Sequence, residues 1–304
     1  MKRVSKRKSG LNVHGIILLD KRLGVSSNKA LQEVRRLFNA NKAGHTGSLD
    51  PLATGLLPLC FGEATKVSAL MLDDDKRYQV TMKLGVMTDT GDAEGQVIET
   101  KPVPELSIEQ IQCCLAKFMG LQAQVPPMYS ALKLNGKKLY ELAREGITVE
   151  RAPRQITIYE LHLLDATFDT LTLDVACSKG TYIRSLAEDI GHDLGCGATV
   201  TALRRTQAGQ FLLANAKTIE QLSALTYDEL QANLMACDKP LEKLPALHLS
   251  EQQAKAISYG QDIDIESQKS ESDYRLYADG LFLGLGEYGI NGKLHPKKLF
   301  NLND

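Results

Sequence analysis

The chain has 304 residues, 43% of them hydrophobic and 24% charged, which fits one large globular domain or a large domain plus a small one. Lys+Arg is 36 and Asp+Glu is 37, so a net charge of −1 gives no global sign of a nucleic-acid or membrane partner. Apolar runs such as Ile16–Leu19 are far short of a membrane span. The six cysteines, Cys60, Cys113, Cys114, Cys177, Cys196 and Cys237, form no CxxC pair and no His–Cys cluster. That argues against a zinc site or a disulfide framework and suits reduced thiols in a cytoplasm.

The average hides an uneven distribution. Residues 1–12 read as a disordered basic tail, with Lys2, Arg3, Lys6, Arg7 and Lys8 and no signal-type apolar core after them. Residues 218–274 hold eleven acids against four bases. Between these extremes, a short apolar strand from Gly15 to Leu19 runs into a Lys21–Gly24 corner. Ser26 or Ser27 then caps a helix whose Ala30, Leu31, Val34, Leu37 and Phe38 keep helical spacing. Gly44–Gly55, with three glycines and a proline, reads as a loop.

From Arg77 the period becomes two: Tyr78, Val80, Met82 and Leu84 face one way, Arg77, Gln79, Thr81 and Lys83 the other. Thr88–Gly95 is turn chemistry, and a Ser107/Gln110 capping box opens a helix running to about Gly120. Residues 124–154 lack periodicity and look like a basic excursion from the core. Strands follow at about 155–162 and 170–177, and Thr181 is expected to cap a helix carrying Ile183, Leu186, Ala187, Ile190 and Leu194 on one face. Beyond about residue 245 come a short helix and strands broken at Asp279-Gly280 and near Asn291-Gly292, a small separate β-rich module. Hairpins and helices without a regular βαβ series indicate an α+β fold.

Asp50, followed by Pro51 in the Gly-rich loop, is either an outward-presented carboxylate or an Asx-turn residue. Arg184 sits in the first turn of its helix with Lys179 upstream and no acid nearby, where a cation opposes the macrodipole by about 0.3–1 kcal/mol. Either it meets an anion from elsewhere or it is a solvated surface arginine; if it met Asp50, it would hold that carboxylate ionised and oriented. Tyr78 and Tyr182 can stack on a base, although the parity of Tyr78 also suits ordinary core. His45 is a lone loop histidine that can stack, and the 124–154 excursion with Arg204-Arg205 can neutralise phosphates.

Taken in order, GIILLDKRLGVSSN (15–28), GHTGSLDPLATG (44–55), DKRY (75–78), MYSALKLNGKKLY (128–140), CSKGTYIR (177–184) and LRRT (203–206) resemble the bacterial TruB family of tRNA pseudouridine-55 synthases over nearly the whole chain. The resemblance implies a pseudouridine-synthase catalytic domain at 13–244 with a central mixed, mainly antiparallel sheet, and a PUA-like RNA-binding module at 245–304. Residues 124–154 would be a mobile segment closing over the T-loop. It implies isomerisation of a tRNA uridine without cofactor or metal, by a cytoplasmic monomer using no guide RNA. Asp50 would be the nucleophile, Arg184 its ion-pair partner and Tyr78 the residue against the target base. His45, Tyr182 and Leu203 would line the uridine pocket or support the extruded nucleotide, and Lys21, Lys133, Lys137, Lys138, Arg144, Arg154 and Arg204 would contact RNA. One departure stands out: Arg22-Leu23 replaces the family's usual Pro followed by a variable residue, which would loosen that corner.

The implied chemistry agrees with the residues. A single ionised carboxylate can attack the sugar or take a proton from it, whereas a glycoside hydrolase needs two carboxylates and the 44–55 loop supplies one. An RNA-binding protein or RNA-folding chaperone using the same surface is the alternative class. A synthase acting on another uridine, or guided by a separate RNA, is the alternative within enzymes.

Overall fold

The computed structural model describes residues 10–265, 273–289 and 291–302. The basic positions Lys2 to Lys8 lie outside them. Residues 10–12, assigned to the tail from sequence, are held against the end of the first helix: Leu11 N donates to Asn39 O at 2.6 Å and Gly10 N to Asn41 Oδ1 at 2.9 Å.

In chain order the elements are β1 (Gly15–Lys21), α1 (Ser27–Leu37), β2 (Ala43–His45), β3 (Ala53–Phe61), α2 (Ser68–Leu72), β4 (Lys76–Leu84), β5 (Val86–Thr88) and β6 (Val97–Thr100). Then come α3 (Ile108–Ala116), β7 (Gly120–Gln124), β8 (Lys133–Leu134), β9 (Lys137–Lys138), α4 (Leu139–Arg144), β10 (Arg154–Ala166), β11 (Thr170–Cys177), α5 (Ile183–Asp193), β12 (Ala198–Ala208) and β13 (Phe211–Leu212). The remainder is α6 (Ile219–Ser223), α7 (Tyr227–Ala232), β14 (Ala246–His248), α8 (Glu251–Ser258), β15 (Tyr274–Ala278), β16 (Leu281–Tyr288) and β17 (Leu294–Leu299).

The main sheet runs β1-β3-β12-β4-β11-β10-β7, with β2 added to β3 and β13 to β12. All pairs are antiparallel except β3 with β12, so the sheet is mixed and mainly antiparallel as expected. Its two ends differ physically. In β1 and β3 successive residues enter different cores: Ile17, Leu19, Leu57 and Leu59 join the cluster under α1, while Ile16, Leu18, Leu56 and Cys60 join one completed by Phe282, Leu285 and Phe300. A strand buried on both faces needs a continuous apolar run, and that is why these segments do not alternate. Further along, Val80, Met82, Leu84, Leu171, Leu173 and Val175 are buried on one face only. The opposite face carries Arg77, paired with Asp174 at 2.5 Å and Glu160 at 2.8 Å.

The strands β14–β17 form a second sheet with its own small core of Leu249, Ile257, Ile263, Tyr274, Leu276 and Leu294. It is tied to the first by the shared cluster and by polar contacts: Asn301 N donates to Glu63 Oε2 at 2.8 Å and Lys66 Nζ to Leu299 O at 2.7 Å. No helix among the described residues is long and apolar enough to cross a membrane.

Four local expectations change. The loop at 44–55 narrows to 46–52, because β12 recruits Ala53, Thr54 and Gly55 as parallel partners. Gly55 permits that approach: at φ +97° a Cβ would meet Arg205 O at 2.3 Å. Helix α3 stops at Ala116, since Gly120 takes φ +80° and opens β7. The 124–154 excursion contains a hairpin turning on Asn135-Gly136, both at positive φ, a two-residue signature legible in the sequence. Thr181 caps no helix; its Oγ1 donates to Ser178 O at 2.9 Å, and Tyr182 occupies the N-cap without a side-chain cap.

Candidate active site

The 46–52 loop is pinned from three sides. Ser26 caps α1, which frees Ser27 to bridge the loop: Leu49 N donates to Ser27 Oγ at 2.7 Å and Ser27 Oγ to Leu49 O at 2.9 Å. Gly24 N donates to Pro51 O at 2.9 Å, and Arg205 Nη2 to Gly47 O at 3.0 Å. Asp50 does not cap its own turn. Its side chain, 46% exposed, reaches Arg184, with Oδ2 at 3.1 Å from Nη2.

Arg184 is no solvated surface residue, being only 6% exposed. Its Nη1 donates to Thr90 O at 2.7 Å and its Nη2 to Tyr129 O at 2.8 Å, while Asp92 Oδ2 lies 3.7 Å from Nη1. Asp92 is itself fixed by Thr90 Oγ1 at 2.7 Å and Glu94 N at 3.1 Å. Charge-assisted hydrogen bonds contribute about 1.5–3 kcal/mol each, so this constellation outweighs the macrodipole cost of a cation at a helix start. The pairing foreseen from sequence is present, but its electrostatic consequence is not the expected one. Burial pushes the Asp50 carboxyl above its ordinary value, Arg184 and Lys21 pull it back, and Asp92 pushes it further up.

Asp50 and Arg184 open onto a cleft of about 350 Å³. Tyr78 from β4 and Leu203 from β12 line its sheet side, Tyr129, Ser130 and Ala131 the side of the insertion, and Tyr182 its helical end. Tyr78 is half-buried where the core face gives way to the cleft, and burial raises its phenol pKa. The Arg154 guanidinium lies 4.7 Å from the centroid of the Tyr182 ring.

Two supporting residues escaped the sequence reading. Gln124 is 3% exposed and clamps the backbone of Tyr182: Tyr182 N donates to Oε1 at 2.8 Å and Nε2 donates to Tyr182 O at 3.0 Å. It does at the start of α5 what a capping side chain normally does. Arg205 is expected to contact phosphate, yet it is 1% exposed and donates through Nε to Leu56 O at 2.7 Å and through Nη2 to Gly47 O at 3.0 Å. It is scaffold inside the site, buried with its guanidinium committed to backbone carbonyls.

Lys21 is likewise corrected from RNA contact to scaffold. It is 1% exposed, its Nζ donates to Val25 O at 2.6 Å and Arg22 O at 3.1 Å, and burial lowers its pKa to about 8. It thereby holds the corner where Arg22 replaces the usual proline, helped by an Arg22–Glu33 ion pair at 3.0 Å. His45 ends β2 opposite Leu59 and is not among the residues lining the cleft; burial and the Arg205 charge lower its pKa. Arg204 is engaged by Asp20 at 2.6 Å. Lys133, Lys137 and Arg144 are exposed on the insertion, and Lys138 and Arg144 flank the Tyr140 ring at 5.3 and 5.5 Å.

Comparison with known proteins gives this geometry a lineage. Residues 35–183 match the N-terminal domain of TruB family pseudouridylate synthases, 184–244 the tRNA pseudouridylate synthase B C-terminal domain, and 245–300 the pseudouridine synthase II TruB C-terminal domain. Relatives named tRNA pseudouridine synthase B are 51% identical in Chromohalobacter salexigens, over 98% of both chains, and 54% in Haemophilus influenzae, over 92% of this chain and 91% of that one. The fold is shared with a chain of a Cbf5-Nop10-Gar1 complex at TM-score 0.70 and 24% identity, covering 95% of this chain and 85% of that chain. With the sheet, the cleft and close relatives along its whole length in agreement, the chain belongs to the TruB family of pseudouridylate synthases and is an isomerase.

Proposed function

We propose that the protein converts uridine 55 in the T-loop of tRNA to pseudouridine, with Asp50 as nucleophile and the target base turned out of the RNA into the cleft. The observation that carries this reading is the Asp50–Arg184 pair, 3.1 Å apart, at the mouth of a cleft walled by Tyr78 and Leu203. The reaction gains and loses no atoms overall. The bond from the ribose C1′ to uracil N1 breaks, the base turns, and C1′ bonds to C5, which gives up its proton while N1 takes one up. Asp50 acts on the sugar, and Arg184 orients one of its oxygens. The detached uracil needs a shielded wall against which to turn, which Tyr78 and Leu203 provide. Turning the nucleotide out costs a few kcal/mol of unstacking, repaid by stacking against such aromatic and apolar faces.

RNA contact is assigned to Arg154, which lines the cleft, and to Lys133, Lys137, Lys138 and Arg144 on the 124–154 insertion. The compartment follows the substrate, the cytoplasm. The relatives' shared name supports tRNA as the RNA class. Asp50→Asn tests the reading in a T-loop transcript. It should abolish pseudouridine formation while RNA affinity stays within about threefold, leaving intact any RNA-folding role of the same surface. Retained turnover would falsify the nucleophile assignment.

A further inference from the structure

Among the described residues few side-chain polar atoms are both buried and without a partner, and one of them is the Ser130 hydroxyl. Ser130 is 5% exposed and lines the cleft. Its place is fixed by its own backbone: Ser130 N donates to Met128 O at 2.8 Å, and Tyr140 N donates to Ser130 O at 3.1 Å. It directly follows Tyr129, whose carbonyl shares the Nη2 of Arg184 with Asp50. A shielded, unpartnered hydroxyl on a fixed backbone is a standing cost to the fold, tolerated where a ligand supplies the missing partner. Its wall of the cleft is the one beside the carboxylate that must reach the sugar, whereas Tyr78 and Leu203 stand on the sheet side, against the base.

We infer that Ser130 is a substrate-binding residue whose hydroxyl donates to a sugar–phosphate oxygen of the target nucleotide, its ribose 2′-hydroxyl or an adjoining phosphate. Rotation about the Cα–Cβ bond carries the Oγ from its dry position into the cleft. This rests on the proposed pseudouridine-forming reading and adds to it a contact that substrate completes. It also makes Ser130 a residue that costs stability in the free protein and is repaid in the complex.

The test is Ser130→Ala, measured by melting, by T-loop RNA affinity and by single-turnover pseudouridine formation. The melting temperature should stay level or rise, because a dry unpaired hydroxyl is removed, while kcat/KM falls about tenfold, the worth of one lost hydrogen bond. Affinities of both proteins are then compared on RNA carrying 2′-deoxyuridine at the target and on RNA carrying a methylphosphonate beside it. A deficit that vanishes on the first assigns the ribose; one that vanishes on the second assigns the phosphate. A deficit unchanged on both overturns the sugar–phosphate assignment. Wild-type behaviour of the variant, or a melting temperature falling together with activity as for a structural hydroxyl, overturns the inference entirely. If the unmodified protein binds the RNA yet forms no pseudouridine, the functional reading fails, and the affinity ratio still reports on Ser130.

Discussion

Arg184→Lys separates charge from geometry at the centre of the site. Arg184 serves four oxygens with two nitrogens: Thr90 O and Asp92 from Nη1, and Tyr129 O and Asp50 from Nη2. A lysine keeps the positive charge but offers one nitrogen, so at least one carbonyl and one carboxylate lose their donor. Two charge-assisted hydrogen bonds correspond to about 3–6 kcal/mol in total. If about half of that acts on the orientation of Asp50, about 1.5–3 kcal/mol is added to the barrier and the single-turnover rate falls about 13- to 160-fold. The rest appears as a lower melting temperature. Affinity for a T-loop RNA should change less than about threefold, since the guanidinium is 6% exposed and spent on protein partners. The assay is pseudouridine formation with enzyme in excess, beside a binding titration and a thermal melt. A lysine variant with the wild-type rate and melting temperature would refute the reasoning, leaving charge alone as the requirement.

Three further outcomes follow from the same geometry. Because burial raises the Asp50 carboxyl and Asp92 raises it further, the acid limb of the rate should lie above that of an ordinary aspartate; Asp92→Asn, by removing a negative charge, should move it to lower pH, and an upward move would contradict the assignment. Gln124→Leu leaves the N–H of Tyr182 without its partner at about 1–3 kcal/mol, while its C=O keeps Leu186 N at 3.1 Å, so the melting temperature should drop by roughly 2–6 °C; an unchanged melt would show that the clamp is dispensable. Replacing Lys133, Lys137 and Lys138 together by Gln should weaken RNA binding and flatten the slope of log affinity against log salt by about 2, whereas Lys21→Gln should leave that slope alone and lower the melt.

Local pattern reached the elements whose burial is local in origin. The alternation of β4, the capping box of α3 and the apolar run of β1 were legible because each follows from one face or two faces meeting the core. The ends of β3 and α3 were not, since both are decided by a partner strand far along the chain. The same division runs through the site. Arg184 drew attention by breaking a local rule, and its compensation, Asp92 and the carbonyls of Thr90 and Tyr129, comes from segments 55 and 94 residues away. Lys21 and Arg205 were misread because a cation in a loop or strand usually faces water, and nothing local says that backbone carbonyls will enclose it. Gln124 and Ser130 lie in a stretch without periodicity, where a buried polar residue leaves no pattern at all.

What gathers these scattered residues is strand register. Leu203 stands opposite Ala53 in β3 and Val80 in β4, and Arg205 opposite Gly55 and Tyr78. One row across three neighbouring strands therefore sets the loop that carries Asp50, the apolar wall and the aromatic residue side by side. β11 pairs with the far edge of β4 and leads into α5, which delivers Arg184 to the same end of the sheet. A two-residue slip of β12 would keep every side chain on its proper face yet carry Leu203 away from the cleft. The β3–β12 contact forbids that slip, because only Gly55, with no Cβ, can lie against the backbone of Arg205. The glycine in the ATG of the 44–55 motif is thus a register lock for the row that lines the cleft.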